Sequence, residues 1–191
     1  KLSSMFIPTN RRWSYQDVLS WMSNILSDFQ NKEPALREVE LLQRFFSKIP
    51  KTNDNYGLVH YDFELDNVFY DEATGICNVI DFDDAMYHWY VMDIEQTLDS
   101  IKEAMGPTRY AWGRECFLNG YKNEYPIDDE MLSLLPAFRR FADLYSYTRI
   151  LRASAEKWSN EPKWLADLRV KLDISMKRKL ANFGNVLLIS M

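Results

Sequence analysis

The first fifty residues place apolar and polar positions at helical spacing. Ser14 followed by Asp17 has the form of a helix capping box. The apolar residues after it recur every three or four positions, which predicts an amphipathic helix. These residues are Val18, Leu19, Met22, Ile25, Leu26 and Phe29. A second stripe predicts a helix over residues 33–49, whereas residues 1–12 have no period and are interpreted as a connector.

The pattern changes after residue 56. Short apolar runs at residues 57–60, 67–70 and 76–81 predict strands, and the sequence DEATG between the last two predicts the turn of a small hairpin. Helical spacing then returns and continues to the end of the chain. The predicted helices cover about 92–105, 108–123, 128–157 (bent or broken near Pro136) and 162–183. The predicted fold class is mainly α with a small β-hairpin element.

Composition and charge narrow the class of protein. The chain has 191 residues, of which 47% are hydrophobic and 27% charged, enough for one core or for one large lobe of a bigger protein. Its net charge of −5 argues against nucleic acid as a partner, because phosphate neutralisation needs a basic face. No apolar run approaches the roughly 20 residues needed to span a membrane, so no membrane partner is predicted.

The two cysteines, Cys77 and Cys116, lack the spacing of a metal site. Cys77 lies in the apolar run GICNVI, which predicts a reduced thiol in the core. A cytoplasmic location is expected on that basis.

The candidate chemistry lies between residues 57 and 94. HYDFELDN spans His60 to Asn67, and Asp81 ends the third predicted strand. The interval from Asp62 to Asn67 matches the catalytic loop of protein kinases, in which a base and a metal-binding asparagine are followed by a metal-binding aspartate. Asp62 is predicted to be the catalytic base, and Asn67 and Asp81 to bind Mg²⁺ through oxygen. His60 is also predicted to belong to the catalytic site. Its predicted role is to hold the loop by hydrogen bonds rather than to transfer protons.

Each of these motifs taken singly is also typical of a surface turn beside a strand, where Asp and Asn are common. Their order, and the position of each at a strand end, favour a phosphoryl-transfer site over surface turns.

Three segments carry a resemblance to a known family. VHYDFELDN, NVIDFDDA and WYVMDI resemble the motifs of the aminoglycoside phosphotransferase family, a kinase-like group that includes choline kinases. The resemblance implies the C-terminal lobe of the protein kinase-like α+β fold over residues 13–185, with 186–191 as a tail. It also implies ATP as the phosphoryl donor, Mg²⁺ as cofactor, and Asp93 as a buried brace of the catalytic loop. Tyr61 stands where the family usually has glycine. This departure is expected to narrow the acceptor cleft or to alter the backbone of the loop.

Other acidic residues near the motif have two possible roles, in ligand binding or as solvated surface groups. Asp83 and Asp84 are candidates for contacting a second metal or a cationic acceptor, and a solvated acidic turn explains them equally well. Glu64, inside the loop with Asp66, is a candidate for contacting an amine-bearing substrate, although solvated loop acids are commoner.

Aromatic residues after the third strand also have two possible roles, in acceptor binding or in core packing. Trp89, with His88 and Tyr90, is a candidate for lining the acceptor site, but packing is the commoner role of such a cluster. The aromatic-rich segment 137–158 is interpreted as core.

A kinase of this fold also needs a β-rich N-terminal lobe with a phosphate-binding loop and a lysine–glutamate pair. The six glycines are never close together, and no β-rich segment precedes Trp13. Three explanations fit the sequence: a fragment of a complete kinase, a truncation that keeps the catalytic lobe, and a kinase-derived binding module. The chain alone is expected to transfer phosphate weakly or not at all. An apolar hinge face, left exposed, is expected to favour a homodimer.

The function predicted is an ATP-dependent phosphotransferase acting on a hydroxyl of a small molecule. The acidic loop suits a cationic acceptor such as an aminoglycoside or an amino alcohol, and a sugar also fits. The alternative is a pseudokinase-like interaction module without transfer activity.

Overall fold

The computed structural model describes residues 11–156, 158 and 160–185. The predicted tail, and all but the last two residues of the predicted connector, lie outside these residues. In chain order the elements are α1 (Tyr15–Ser27), α2 (Glu33–Phe46), β1 (Tyr56–Val59), a 3₁₀ turn (Leu65–Asn67), β2 (Val68–Asp71), β3 (Ile76–Val79), β4 (Met86–Trp89), α3 (Val91–Glu124), α4 (Asp129–Ser133), α5 (Leu135–Ala155) and α6 (Lys163–Asn182). This mostly helical architecture with small antiparallel sheets confirms the predicted class.

The capping box predicted for α1 is present. The Ser14 N–H donates to Asp17 Oδ2 at 2.7 Å, and the Asp17 N–H donates to Ser14 Oγ at 3.3 Å. The Ser14 hydroxyl also donates to Asp17 Oδ2 at 2.7 Å, and the two hydrogen bonds that this carboxylate accepts from Ser14 lower the pKa of Asp17. One face of the helix is buried, through Tyr15, Val18, Leu19, Met22 and Leu26. The start of α1 is fixed beside β4, because the Tyr87 N–H donates to the Trp13 carbonyl at 2.8 Å.

The four strands form two separate antiparallel pairs. β1 pairs with β4, with Tyr56 opposite Trp89, and β2 pairs with β3 in the predicted hairpin, with Val68 opposite Val79. No strand is predicted from the sequence at β4. Three of its four residues are buried, so it has no clear alternation of apolar and polar positions. Its partner also lies far earlier in the chain, which a local pattern cannot reveal.

Two glycines shape α3, which consists of two helical halves joined at a sharp kink and so agrees with the two helices predicted from the sequence. Gly106 has φ 68° and ψ 175°, a conformation that glycine adopts readily, and Pro107 follows it. The two halves then pack closely at Gly113, where a Cβ would lie 2.8 Å from Ile101 Cγ2. The kink therefore brings the end of α3 back towards its beginning, where Ile94, Leu98 and Leu118 form a small second core.

The main core is aromatic and surrounds His88. The rings of Tyr15, Phe46, Phe138 and Phe141 have centroids between 4.9 and 5.5 Å from the His88 ring. Burial among these rings lowers the pKa of His88 to about 3. The imidazole is therefore a neutral packing group at physiological pH.

Trp89 was a candidate for contacting the acceptor, and the structure contradicts that assignment. Its side chain is completely buried, stacked on Phe46 with ring centroids 5.4 Å apart. The indole N–H donates to the Pro50 carbonyl at 3.0 Å. Both the ring and its polar atom are thus used inside the core, and Trp89 has no surface for a ligand.

The prediction that Cys77 is a core thiol is wrong, because this residue is exposed. It lies on the β2–β3 hairpin, whose apolar side chains are open to solvent on the described part of the chain. Phe69, Tyr70 and Ile76 are 56%, 63% and 55% exposed. The apolar run around Cys77 therefore forms a surface of this chain rather than part of its core.

α5 is the central helix of the body, and its aromatic stripe is core as predicted over most of its length. The buried aromatic residues are Phe138, Phe141 and Tyr147. Trp158, beyond the end of the helix, is 68% exposed and does not belong to that core. Arg140 forms a two-pronged ion pair with the fully buried Glu38 of α2, and the Gly184 N–H donates to the same carboxylate at 2.9 Å. This pair joins α2, α5 and the chain that follows α6.

Among the described residues, no helix has the length and apolar character needed to cross a bilayer.

The burial of His88 predicts a loss of stability at acid pH. In the unfolded chain this histidine takes up a proton below its ordinary pKa of 6.5, whereas in the folded chain it stays neutral down to about pH 3. The stability is therefore fully present above pH 6.5 and falls as the pH is lowered through this window. Between pH 6.5 and 4.5 the loss attributable to His88 is about 2–3 kcal/mol.

Urea unfolding of the wild type and of His88→Leu at a series of pH values measures this contribution, since other titrating groups cancel in the difference. The variant is expected to show the flatter dependence on pH. Parallel curves for the two proteins would contradict the assignment.

Candidate active site

The catalytic-loop motif lies between β1 and β2, and the first turn of α3 holds its start. The Asp93 carboxylate accepts the backbone N–H of His60 at 2.9 Å and that of Tyr61 at 2.8 Å. Burial raises the pKa of Asp93, and the two backbone donors oppose that rise. One side chain thereby fixes two consecutive peptide groups directly before Asp62.

Two further residues of α3 hold the loop, and sequence reasoning missed both. Thr97 Oγ1 lies 2.9 Å from the Phe63 carbonyl, and the Leu65 N–H donates to Ser100 Oγ at 3.0 Å. Together with Asp93 they occupy positions i, i+4 and i+7 on one helix face. The available signal was the i, i+4, i+7 spacing of Asp93, Thr97 and Ser100, which is hard to recognise among the other polar residues of this half of the helix.

Asn67 and Asp62 are brought into direct contact. Asn67 Nδ2 lies 2.9 Å from the Asp62 carbonyl and 3.1 Å from Asp62 Oδ2, so the amide group orients the carboxylate. The amide oxygen of Asn67 has no hydrogen-bond partner within the described part of the chain. It is thus free to bind a ligand.

His60 connects the loop to the end of β3. Its Nε2 lies 2.7 Å from the Ile80 carbonyl, and because a carbonyl only accepts, the hydrogen must sit on Nε2. The ring is 5% exposed, and Nδ1 has no partner among the described residues. The Ile80 N–H donates in turn to the Asn67 carbonyl at 3.1 Å. These contacts place residue 81 beside Asn67.

Asp81 follows the end of β3 in a left-handed conformation, with φ 60°. Its side chain is exposed, and its only described hydrogen bond is a long one, 3.5 Å from the Asp83 N–H to Oδ1. Asn67 and Asp81 therefore present an amide oxygen and a carboxylate on adjacent segments, which are hard donors of the kind Mg²⁺ prefers. Within the described ranges, no group of three His, Cys, Asp or Glu side chains could hold a metal without other ligands. This donor pair fits a metal that is also bound by phosphate and water.

The three acidic residues predicted to contact the acceptor, Asp84, Asp83 and Glu64, lie in different environments. Asp84 forms an ion pair with Arg149 of α5, so its charge is already neutralised. Asp83 is exposed, and its backbone carbonyl accepts from Arg12 at 2.7 Å. Glu64 is half-buried, and burial followed by the charge of Asp62 raises its pKa.

Tyr61 takes up a backbone conformation in which glycine is ordinarily favoured. Its φ is 71°, yet its ring is buried, with its centroid 5.2 Å from that of Tyr145 and 6.3 Å from that of Phe141. The left-handed conformation costs a non-glycine residue about 1–2 kcal/mol. Burying an aromatic ring contributes about 3–5 kcal/mol by the cost of truncating one, so packing outweighs the strain. The loop keeps the glycine-type backbone without a glycine.

A cleft of about 530 Å³ lies beside Asp84, between the start of α1 and the end of α5. Its aromatic walls are Trp13, Trp21 and Tyr145, and the Arg149 guanidinium lies 5.4 Å from the Tyr145 ring centroid. Arg152 and Glu156 complete its rim. The cleft therefore combines flat apolar surfaces with charges of both signs.

Comparison with known proteins places the chain in a family of enzymes. The phosphotransferase enzyme family matches residues 6–121, and the chain belongs to that family. Amicoumacin kinase of Bacillus subtilis (strain 168) is 31% identical over 143 residues, which are 72% of this chain and 41% of that kinase.

Solved structures share the fold. Amicoumacin kinase hAmiN in complex with AMP-PNP, Ca²⁺ and Ami superposes with a TM-score of 0.70 at 22% identity, over 93% of this chain and 54% of that one. The microcompartment-associated aminopropanol kinase gives a TM-score of 0.52 at 21% identity, over 90% of this chain and 50% of that one. The chain thus spans about half the length of the relatives it matches.

Removing the Asp93 charge is expected to loosen the catalytic loop selectively. Asp93→Asn keeps one acceptor oxygen and turns an N–H₂ group towards a backbone donor, so one peptide N–H loses its partner. The expected loss is about 1.5–3 kcal/mol of unfolding free energy, the scale of a hydrogen bond to a charged group. Faster hydrogen exchange at the His60 and Tyr61 amides, followed by NMR, is the specific sign.

Asp129→Asn is the matched control, because Asp129 is 91% exposed and its ion pair with Lys122, the only one it forms with a described residue, lies at the surface. It is expected to leave both amides and the unfolding curve unchanged. Equal exchange at the two amides in wild type and Asp93→Asn would show that the carboxylate does not hold the loop.

Proposed function

We propose that the chain is the catalytic lobe of an ATP-dependent phosphotransferase, which transfers the γ-phosphoryl group to a hydroxyl of a small molecule. The observation that carries the proposal is the convergence of Asp62, Asn67 and Asp81 at one end of the β2–β3 hairpin. Asn67 contacts Asp62 directly, and the Ile80 backbone joins Asn67 to the segment that carries Asp81. A phosphoryl-transfer site needs a base and metal-binding oxygens arranged in this way.

Asp62 is the proposed base. The contact from Asn67 Nδ2 holds one of its carboxylate oxygens, and the second is left to accept the proton of the acceptor hydroxyl. His60 is given a positioning role, because its Nε2–H is engaged by the Ile80 carbonyl. Asp93 is the proposed brace, since its carboxylate holds the two peptides that precede Asp62.

Asn67 and Asp81 are the proposed Mg²⁺ ligands. When bound, Mg²⁺ would neutralise phosphate charge. The structure of the relative hAmiN with AMP-PNP and Ca²⁺ supports the use of a nucleotide and a divalent cation by this fold. The free amide oxygen of Asn67 and the exposed carboxylate of Asp81 are the groups that would meet such a cation here.

The lobe assignment is part of the proposal. The chain corresponds to about half of its relatives, and its exposed apolar hairpin offers a surface on which a nucleotide-binding lobe would pack. The same surface is the proposed site of self-association when it is left uncovered.

The proposed acceptor is a small hydroxylated molecule with a cationic group, and the cleft beside Asp84 is its proposed site. The chain is similar to amicoumacin kinase in sequence and to aminopropanol kinase in fold, and aminopropanol carries both an amine and a hydroxyl. The aromatic walls of the cleft suit such a molecule. Glu64 of the catalytic loop is half-buried and is a second proposed contact, outside the residues that line the cleft. Asp84 contributes as the partner of Arg149 rather than as a free charge.

The test is Asp62→Asn in the complete gene product, assayed by ADP release with a panel of hydroxylated amines. Loss of the base is expected to lower the transfer rate by about 10²–10⁴-fold, with MgATP affinity almost unchanged. The matched control is Asp66→Asn, an exposed acid of the same loop, which is expected to keep the wild-type rate. Full activity in Asp62→Asn would refute the role of the base.

A further inference from the structure

We propose a second binding site, for a small organic cation, in an aromatic cavity behind the catalytic loop. The cavity has a volume of about 330 Å³ and lies between the first turn of α3 and its last turns. Its walls include Tyr90, Phe117, Tyr121 and Tyr125, and Phe63 of the catalytic loop. The proposal does not rest on phosphotransferase activity.

The kink of α3 creates this cavity. The left-handed Gly106 reverses the direction of the helix, so that Phe117 and Tyr121 return to the level of Ile94. Phe117, Tyr121 and Glu124 share one helix face at i, i+4 and i+7, and Tyr125 follows at the end of the helix. Residues from both halves of one helix therefore line the same space.

The rings of Tyr90, Tyr121 and Tyr125, which we call the cage, line the cavity and pack edge to face against one another. Tyr90 and Tyr125 are nearly perpendicular with centroids 5.7 Å apart, and Tyr121 lies 6.4 Å from Tyr125 at 76°. Two hydroxyls are fixed, Tyr90 to the Asn53 carbonyl at 3.3 Å and Tyr125 to the Asp54 carbonyl at 2.9 Å. A cation is attracted to the negative face of an aromatic ring and not to its positive edge, so the proposed contacts are with the ring faces that border the cavity.

Charge makes the assignment to a cation specific. Every charged residue that the described chain contributes to the cavity wall is an acid, namely Asp93 and Glu124. An adjoining cavity of about 450 Å³ shares Tyr90, Tyr121 and Tyr125 with the first. Its charged residues are acids too: Asp54, Asp128 and Glu130. An anionic ligand is disfavoured in both spaces.

The two adjoining cavities fit an extended molecule with an ammonium group at each end. One ammonium would lie among the rings near Asp93 and Glu124, and the other near the acids of the outer cavity. An aliphatic diamine is therefore the ligand class assigned. Because Asp93 also holds the His60 and Tyr61 amides, such a ligand would lie against the group that braces the loop.

The experiment is an NMR titration of the 191-residue chain with 1,6-diaminohexane, compared with 1,6-hexanediol as an uncharged molecule of the same length. The diamine is expected to give saturable shifts at the amides of Tyr121, Glu124 and Tyr125, and the diol none. Absence of saturable shifts with the diamine, or equal binding of the diol, overturns the proposal.

Two variants locate the site. Glu124→Gln is expected to weaken diamine binding by up to about fivefold, the effect of losing one exposed charge contact. Glu115→Gln, an exposed acid of the same helix outside both cavities, is the matched control and is expected to bind as the wild type does. Equal affinity in the two variants places the diamine elsewhere and overturns the proposal.

Tyr121→Leu tests the cage itself, because it keeps an apolar side chain and removes the ring. It is expected to weaken the diamine at least about tenfold. Circular dichroism melting shows whether this variant is folded. If it is unfolded, the affinity of Glu124→Gln for the diamine decides the outcome. A folded Tyr121→Leu that binds the diamine with wild-type affinity contradicts the cage.

Discussion

The candidate site depends on one interaction, the acceptance of two consecutive backbone N–H groups by the Asp93 carboxylate. A charged acceptor makes stronger hydrogen bonds than a neutral one, and burial strengthens them further. The interaction fixes the peptides of His60 and Tyr61, so the direction in which Asp62 leaves the core is fixed too. Thr97 and Ser100 form hydrogen bonds with the backbone of Phe63 and Leu65, so α3 holds the loop at four residues.

From this support the rest of the site follows by short links. His60 connects the loop to the Ile80 carbonyl, and Asn67 connects it to both Asp62 and the Ile80 N–H. The hairpin that carries these links is itself exposed and apolar on the described part of the chain. Its geometry is therefore set by polar contacts at its base and not by burial of its faces. The aromatic body around His88 supplies the stability that the hairpin lacks.

The sequence predicted those features whose signal is local. The capping box of α1, the break at Gly106 and the helical stripe of α5 follow from spacing and from the chemistry of single residues. β4 was not predicted because its partner strand lies far away in the sequence. The burial of Trp89 was not predicted either, because it depends on the pairing of β4 with β1. Thr97 and Ser100 were missed because their role exists only once α3 lies beside the loop. Cys77 was misjudged because an apolar strand marks burial only where another element covers it.

The most direct test of a metal and base site on this hairpin is paramagnetic broadening by Mn²⁺ in NMR spectra of the 191-residue chain. The account predicts that Mn²⁺ broadens the amides around Asn67 and Asp81 first, and that Asp81→Asn removes most of the effect while Asp66→Asn does not. Broadening centred on another part of the chain, or unchanged in Asp81→Asn, would contradict it.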